Sequence, residues 1–555
     1  MITNTATSSS DSFIEREVRN GCREEEIKDQ HQLTTGLAKQ YLKTRFTTLF
    51  PSKAVLRENW NKYPWNPFPA LVHLNARQVQ YFVVGFLAWT WDALDFFAVS
   101  LNLTEIAEDL HTPIKDVTHA ITLVLLLRVV GAILFGYLGD RFGRKLPYCL
   151  SMFLIIVVQI GTGFVKNFPA FLGCRALFGV VMGSIFGVAS ATALENAPEE
   201  SKSILSGIFQ EGYALGYLLG VIFKRAIVDN SPYGWRSFFW FSAGPPALFI
   251  VWRLLLPESE AFLKRQVPTS ESSGAKRAEP PSSRFWRNAK LALKRQWMTL
   301  IYMVILMAMF NFSSHGSQDL FPTMLSKQYG YSEDASTVTN AVANIGALVG
   351  GILVAHVSSF IGRRCAIVLC CVGGGAFLYP WGFLSNPRQL NPSVFFLQFF
   401  VQGAWGVVPI HLTELSPVEF RTFVIGVAYQ LGNMISSASS TIEASIGERF
   451  PIEGKEGVYD YGKVMCIFMG SVFAALLITT VLGPENKGGE IVIDEERVYE
   501  SNLVARNEFY DLERAASIET SQSAFKPVLE HVADIGAYNN SGDDSPKPGS
   551  NHNAK

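Results

Sequence analysis

The chain has 555 residues, 48% of them hydrophobic and only 17% charged. Soluble domains carry about 25% charged residues, so much of this chain is not built to meet water. A formal net charge of −1 argues against nucleic acid as a partner. The seven cysteines contain no CxxC pair and read as small apolar residues, not as a zinc site or a disulfide framework. No metal and no cofactor is expected.

Residues 1–50 are rich in Ser, Thr, Glu and Lys. They are expected to be largely disordered, and they contain no apolar core of signal-peptide length. Residues 51–78 hold Trp60, Tyr63, Trp65 and Phe68 among basic residues and prolines. Two readings stand for this segment: it lies at a membrane–water boundary, where aromatic rings collect, or it packs under a helix bundle. A hydrocarbon core needs about 20 apolar residues per spanning helix. Twelve such runs follow, at roughly 80–103, 117–138, 147–165, 169–193, 203–227, 236–256, 297–321, 337–359, 365–384, 392–414, 420–444 and 462–483. The expected organisation is an N-terminal tail over 1–78, a six-helix bundle over 79–256, a linker over 257–296, a second six-helix bundle over 297–484 and a C-terminal tail over 485–555.

Lys and Arg counts in the loops set orientation. Arg141, Arg144 and Lys145 follow helix 2, the 257–296 link is strongly basic, and Arg363 and Arg364 follow helix 8. Lys224 and Arg225, between helices 5 and 6, are the exception. The majority puts both termini in the cytoplasm. The Ser, Thr and Lys content of the tails suits kinases and ubiquitin-driven turnover.

The chain also repeats itself. Gly143-Arg144-Lys145 corresponds to Gly362-Arg363-Arg364, 219 positions later. At the same shift Glu195, Pro198, Lys202 and Gly207 fall on Glu414, Pro417, Arg421 and Gly426, and Asp92 falls on Asn311. Helices 1–6 and 7–12 are therefore two copies of one unit. Parallel repeats that bind substrate near the midplane describe a rocking-bundle transporter.

The loop Gly136-Tyr137-Leu138-Gly139-Asp140-Arg141-Phe142-Gly143-Arg144-Lys145 resembles the cytoplasmic loop signature of the major facilitator superfamily. The resemblance covers about residues 80–485. It implies an all-α membrane protein with 12 transmembrane helices in two six-helix pseudo-repeats. In this loop Asp140 and the bases can pair with helix ends of the other half and act as a gate. The second copy, with Gly362 and Arg363, has Ser359 where the acid would be, which predicts an uneven latch.

Ionisable groups inside spans are costly and mark function. They are Asp92 and Asp95 on helix 1, Arg128 on helix 2, Arg175 on helix 4, Glu211 on helix 5, His315 and Asp319 on helix 7, and Glu443 on helix 11. Arg128 lies roughly 16 Å into its helix at a rise of about 1.5 Å per residue, near the midplane. It can receive a substrate carboxylate through a bidentate pair, or it can pair with Asp92, Asp95 or Glu211. Asp95 and Arg175 can form a proton-sensitive pair or a structural salt bridge. Asn311, His315, Gln318, Asp319 and Thr323 recur every three or four residues, so they share one helix face, and His315 and Asp319 are neighbours on it. An unperturbed histidine titrates near pH ~6.5. Gln430 and Asn433 on helix 11 offer neutral hydrogen bonds.

Asn311, Ser314, His315, Ser317, Gln318, Asp319 and Thr323 fill the pattern Asn-x-x-[Ser/Thr]-His-x-[Ser/Thr]-Gln-Asp-x-x-x-Thr. This resembles the signature of the fungal Jen-type monocarboxylate–proton symporters, a branch of the sialate–proton symporter family. The resemblance implies plasma-membrane uptake of short carboxylates, such as lactate and pyruvate, with a proton. It also implies that Asn311, His315 and Asp319 matter for transport, and that Arg128, Gln430 and Asn433 serve substrate recognition. A sugar or polyol porter and a nutrient sensor remain as rival readings. Whether His315 carries the proton or holds the substrate stays open.

Overall fold

A computed structural model describes residues 43–259, 262–263, 281–447, 449–452 and 459–489. Most of both tails and much of the expected linker lie outside the described residues. What is described is helical, with one isolated bridge between Pro451 and Tyr459. The long helices are α1 (Ala76–Leu101), α2 (Ile114–Phe142), α3 (Lys145–Gly163), α4 (Phe168–Met182 and Ile185–Leu194), α5 (Glu199–Gln210 and Gly212–Phe223) and α6 (Trp235–Ser242 and Pro245–Leu255). The second set is α7 (Pro281–Gln318), α8 (Glu333–Ile361), α9 (Arg363–Phe383), α10 (Pro387–Leu415), α11 (Arg421–Ser436 and Ser439–Gly447) and α12 (Tyr461–Leu482). Ten spans among the described residues are long and apolar enough to cross a membrane. Helices α5 and α11 are not among them; both are interrupted, at Glu211 and at Ser437-Ala438, as α4 and α6 are at Gly183-Ser184 and Ala243-Gly244.

Caps explain where several helices begin. Asn75 and Gln78 form a capping box on α1, and Asn167, Ser332, Asn386 and Asp460 cap α4, α8, α10 and α12 through their side chains. Two boundaries differ from expectation. Helix α7 begins at Pro281, inside the stretch expected as linker, and it ends at Gln318, short of Thr323, the last member of the polar stripe. Pro322 has no N–H and its ring would collide with the carbonyl four residues back. The polar stripe therefore holds only as far as Asp319, whose N–H still reaches the His315 carbonyl at 2.9 Å. Thr323 sits on a separate short turn, Phe321–Thr323.

Glycine decides how closely the helices cross. A side chain at Gly183 on α4 would collide with the Arg128 carbonyl on α2, and one at Gly131 would collide with the Val180 carbonyl. This tight crossing fixes Arg128 beside α4. The same crossing recurs in the second half, where Gly350, 219 positions after Gly131, lies against the Phe399 carbonyl of α10. Lipid gives helices no hydrophobic reason to associate, so backbone approach through small residues carries this packing.

The two halves meet at the end of the bundle that carries the Gly-Arg loops. Gly143 and Gly362 adopt φ of 96° and 94°, a conformation open mainly to glycine. Each turn sends its arginine into a buried carboxylate fork. Arg144 donates to Glu195 at 2.7 and 3.1 Å, and Arg363 donates to Glu414 at 2.9 and 3.1 Å. Three further carboxylates sit on helix N-termini, where backbone N–H groups and the helix dipole favour an anion. Glu258 accepts from the Arg144 and Lys145 amides, Glu485 accepts from those of Arg363 and Arg364, and Asp140 accepts from those of Thr422 and Phe423 at 3.1 and 2.8 Å. The Asp140 contact joins the halves, since α2 carries the acid and α11 the amides.

In the second copy Ser359 stands in place of the acid, and the arginine makes the contact across the halves. There Arg363 crosses to the Ser203 hydroxyl of α5 at 2.8 Å. Ser206 of α5 also inserts into α10, donating to the Gly406 carbonyl and accepting from the Ile410 amide. It thereby replaces one turn of the α10 backbone ladder. Lys53–Lys62 and the residues after it lie against this end. Trp60 and Trp65 stack at 5.4 Å beside Phe360, and the Asn59 amide donates to the Phe360 carbonyl at 2.8 Å. The segment thus touches the bundle at Phe360, while Trp60, Trp65 and Phe68 remain largely exposed.

Asp140→Asn should loosen this closed end. It removes a charge-assisted contact worth about 1.5–3 kcal/mol and the ion pair with Arg144 at 3.2 Å. Ala428, buried behind the latch, reports the effect as Ala428→Cys in a background without other reactive cysteines. Its labelling by a hydrophilic thiol reagent from the loop side should rise roughly tenfold.

Candidate substrate and proton site

Helix α1 contributes Asp92 and Asp95, both buried, with neither carboxylate hydrogen-bonded. Helix α2 contributes Arg128, 2% exposed. Its guanidinium lies 4.6 Å from the Phe96 ring centroid, one Nη rests 2.7 Å from the Met182 sulfur, and Nε has no partner. No carboxylate of the described residues lies within 4.0 Å of it, although Asp92 stands in its electrostatic field. Pairing with Asp92, Asp95 or Glu211, one of the two readings of Arg128, is therefore not formed among the described residues. Glu211 is turned the other way, its carboxyl against Gly351 of α8. A planar cation cushioned by an aromatic face and a thioether keeps its donor edge available.

The expected pair of Asp95 with Arg175 is also not in contact. Arg175 donates instead to Gln159 of α3 at 2.6 Å and to Thr162 at 2.9 Å. Sequence spacing placed these groups at similar depth but carried no signal for the third helix between them.

On α7, Asn311 spends its amide on its own helix, donating to the Met307 carbonyl at 2.8 Å. His315 and Asp319 are in contact at 3.2 Å, as their spacing predicted, with side chains 29% and 32% exposed. Gln318 reaches the buried Gln398 of α10 at 3.4 Å. Gln430 and Asn433 of α11 bond each other at 3.1 Å. Glu443, on the second piece of α11, is wholly buried with both carboxylate oxygens unpartnered, and the charge that reaches it is Asp319.

An aromatic layer that the sequence did not announce joins these groups across the halves. Tyr429 of α11 stacks on Phe186 of α4 at 3.9 Å and meets Trp89 of α1 at 6.0 Å and Trp405 of α10 at 6.1 Å. Trp89 in turn packs against Tyr213 of α5 at 5.5 Å. Tyr213 lies within electrostatic reach of Arg128, Asp92 and Asp319. Arg128 and the α7 acid thus share a neighbour although they belong to different halves. Of the residues expected to gate, Gly136 lies directly against Phe423 and Asp140 on the start of α11, at the loop side. Arg141 lies beside the Phe142 ring at 5.8 Å.

The model of the sugar (and other) transporter family matches residues 78–492. The chain is a major facilitator superfamily transporter of that family. It is a multi-pass membrane protein and a transporter, not an enzyme. A carboxylic acid transporter protein homolog of Saccharomyces cerevisiae is 39% identical over 83% of this chain and 76% of its own length. The sialic acid transporter NanX of Escherichia coli is 25% identical over 72% of this chain and 92% of its own. Among solved structures, the proton:xylose symporter XylE aligns with a TM-score of 0.61 at 17% identity, over 75% of this chain and 98% of that one. At that identity the likeness concerns the fold, and it matches the two-repeat architecture read from the 219-residue shift.

For this transporter, the residues missed by sequence reasoning are Gln159, Gln398, Tyr213, Tyr429 and Trp405. An amide or an aromatic in an apolar run gives no periodic signal. Their shared location follows only from which helix faces meet.

Proposed function

We propose that this transporter imports short-chain carboxylates, such as lactate and pyruvate, together with a proton, across the plasma membrane, with the Gly-Arg loops and both termini in the cytoplasm. The observation that carries the reading is Arg128, a buried guanidinium near the middle of α2 with no carboxylate of the described residues within 4.0 Å. A charge buried without a counter-charge is expensive, and a substrate carboxylate supplies one through two parallel hydrogen bonds. The seven-position α7 pattern and the yeast carboxylic acid transporter homolog support the same substrate class.

Asn311, Gln318, Gln430 and Asn433 supply neutral hydrogen bonds around the substrate. His315 and Asp319, partly open to solvent, take up the proton, and the buried Asp92 and Asp95 receive charge changes within the first half. An anion and a proton cross as a neutral sum, so the membrane potential does not oppose uptake. The aromatic layer and the Asp140 latch close the cytoplasmic side while the substrate binds.

The experiment is substrate-triggered alkalinisation of an unbuffered suspension of cells expressing the transporter at pH 5. Lactate should raise external pH, and labelled xylose or glucose should not accumulate. If lactate, pyruvate, acetate and succinate all leave the pH unchanged while sugar accumulates, the sugar-porter reading replaces this one.

A further inference from the structure

The pocket between α1, α3 and α4 holds a mismatch. Arg175 is fully buried, and its Nε and Nη1 have no partner. Both Asp95 oxygens have none, and neither has the Gln159 Nε2. Unused donors and unused acceptors thus lie close together without a well-formed hydrogen bond, with Ser242 of α6 and Gln159 acting on Asp95 from the hydrogen-bonding side. Buried polar groups are ordinarily satisfied, and exceptions require an explanation. Gln159, Ser242 of α6 and Arg175 are the groups whose influence reaches Asp95. The other titratable groups facing this pocket are Asp92, one turn back on α1 and itself in the field of Arg128 of α2, and Cys174 beside Arg175.

A single nitrogen of Arg175 makes its polar contacts in this arrangement. Its Nη2 bonds the Gln159 oxygen at 2.6 Å and the Thr162 hydroxyl at 2.9 Å, while its plane lies against Phe178 at 4.6 Å and Phe239 at 5.0 Å. Thr162 spends its own proton on the Val158 carbonyl at 2.8 Å, so toward Arg175 it can only accept. An amide differs from every other side chain here in offering an acceptor and donors at once. Its oxygen can hold the guanidinium while its nitrogen remains available to a carboxylate.

We propose that Gln159 is the positioning residue of a proton switch in the first half: it gives Arg175 a second seat, so that the Asp95–Arg175 pair can open and close inside the membrane without stranding the cation. With a proton on Asp95, Arg175 rests on Gln159 and Thr162, as observed. When the proton leaves to the cytoplasm, Arg175 swings to the Asp95 carboxylate, and the Gln159 nitrogen donates to the same carboxylate. The proton is taken from water on one side and released to water on the other, and no other co-reactant is needed. This rests on the reading of the protein as a proton-coupled carboxylate transporter.

The test compares Gln159→Leu, Gln159→Asn and Gln159→Glu with wild type, each normalised to surface amount. It measures the pH profile of labelled lactate uptake, the accumulation ratio and lactate–lactate exchange. Without the second seat, Gln159→Leu should need more acid to open the pair, moving half-maximal uptake down by about one pH unit, a tenfold change in proton concentration. Gln159→Asn keeps both amide functions one methylene short and should restore most of the profile. Gln159→Glu gives Arg175 a permanent carboxylate and frees Asp95. Exchange should persist, the pH dependence should flatten and accumulation should fall roughly tenfold. A wild-type pH profile and accumulation ratio in surface-expressed Gln159→Leu overturns the proposal. If that variant does not reach the surface, an unchanged profile in Gln159→Glu overturns it equally. If wild type moves no protons with lactate, the symport reading itself fails, an outcome separate from any difference among the Gln159 variants.

Discussion

Arg128→Ala should reduce lactate uptake roughly a hundredfold at unchanged surface level, because a bidentate, charge-assisted contact worth about 3 kcal/mol is lost with the guanidinium. The local structure should survive. The side chain makes no salt bridge in the described residues, resting on Phe96 and Met182, so its removal strands no carboxylate in direct contact. Arg128→Lys separates charge from shape. It keeps a cation but not the planar fork, and it should recover about one order of magnitude. Labelled lactate uptake, competed by acetate, pyruvate, succinate and malate, measures both strength and selectivity. Uptake and selectivity that are intact in Arg128→Ala would remove Arg128 from the substrate site.

Gly183→Val is expected to have the largest effect on folding. No side chain fits between α2 and α4 at that point, because the Cβ position is already taken by the Arg128 carbonyl. The crossing must open, and overpacking of this kind costs about 1–3 kcal/mol, more where the obstacle is backbone. Opening would also displace Arg128, so transport should be lost along with thermal stability. Gly161→Ala is the control. The nearest atom to a Cβ there is the Cys174 sulfur at 4.0 Å, an ordinary contact, and the change should be tolerated. Fluorescence-detected size exclusion after a temperature series, with both variants in parallel, distinguishes the two results.

Local rules are broken at several positions inside the spans. Helices α4, α5, α6 and α11 are interrupted, and interruptions inside a membrane survive only where protein or an aqueous path satisfies the backbone. The interruption of α5 falls at Glu211 and that of α11 lies between Asn433 and Glu443. The unsatisfied carboxyls of Asp92, Asp95 and Glu443 are equally out of place in a static core. In a transporter that exchanges two arrangements, a group without a partner in one state can have one in the other.

The amino-acid sequence by itself determined the spans, the duplication and the site's vocabulary. Twenty-residue apolar runs count the helices because the bilayer thickness is fixed. The 219-residue shift exposes the two halves, and spacing of four puts His315 beside Asp319. Those inferences hold because they depend on one helix at a time or on a direct comparison of the chain with itself. Partners between helices were decided by the tertiary structure alone. Arg175 faces both Asp95 and Gln159 at similar depth, and which one it bonds depends on rotations of α1, α3 and α4 that no periodicity encodes. The α7 stripe ended at Asp319 because Pro322 acts through the backbone, against the side-chain pattern. The aromatic layer of Trp89, Phe186, Tyr213, Trp405 and Tyr429 draws on five helices. Its members come together because glycine crossings bring those backbones close, a consequence of packing between faces that are far apart in the chain.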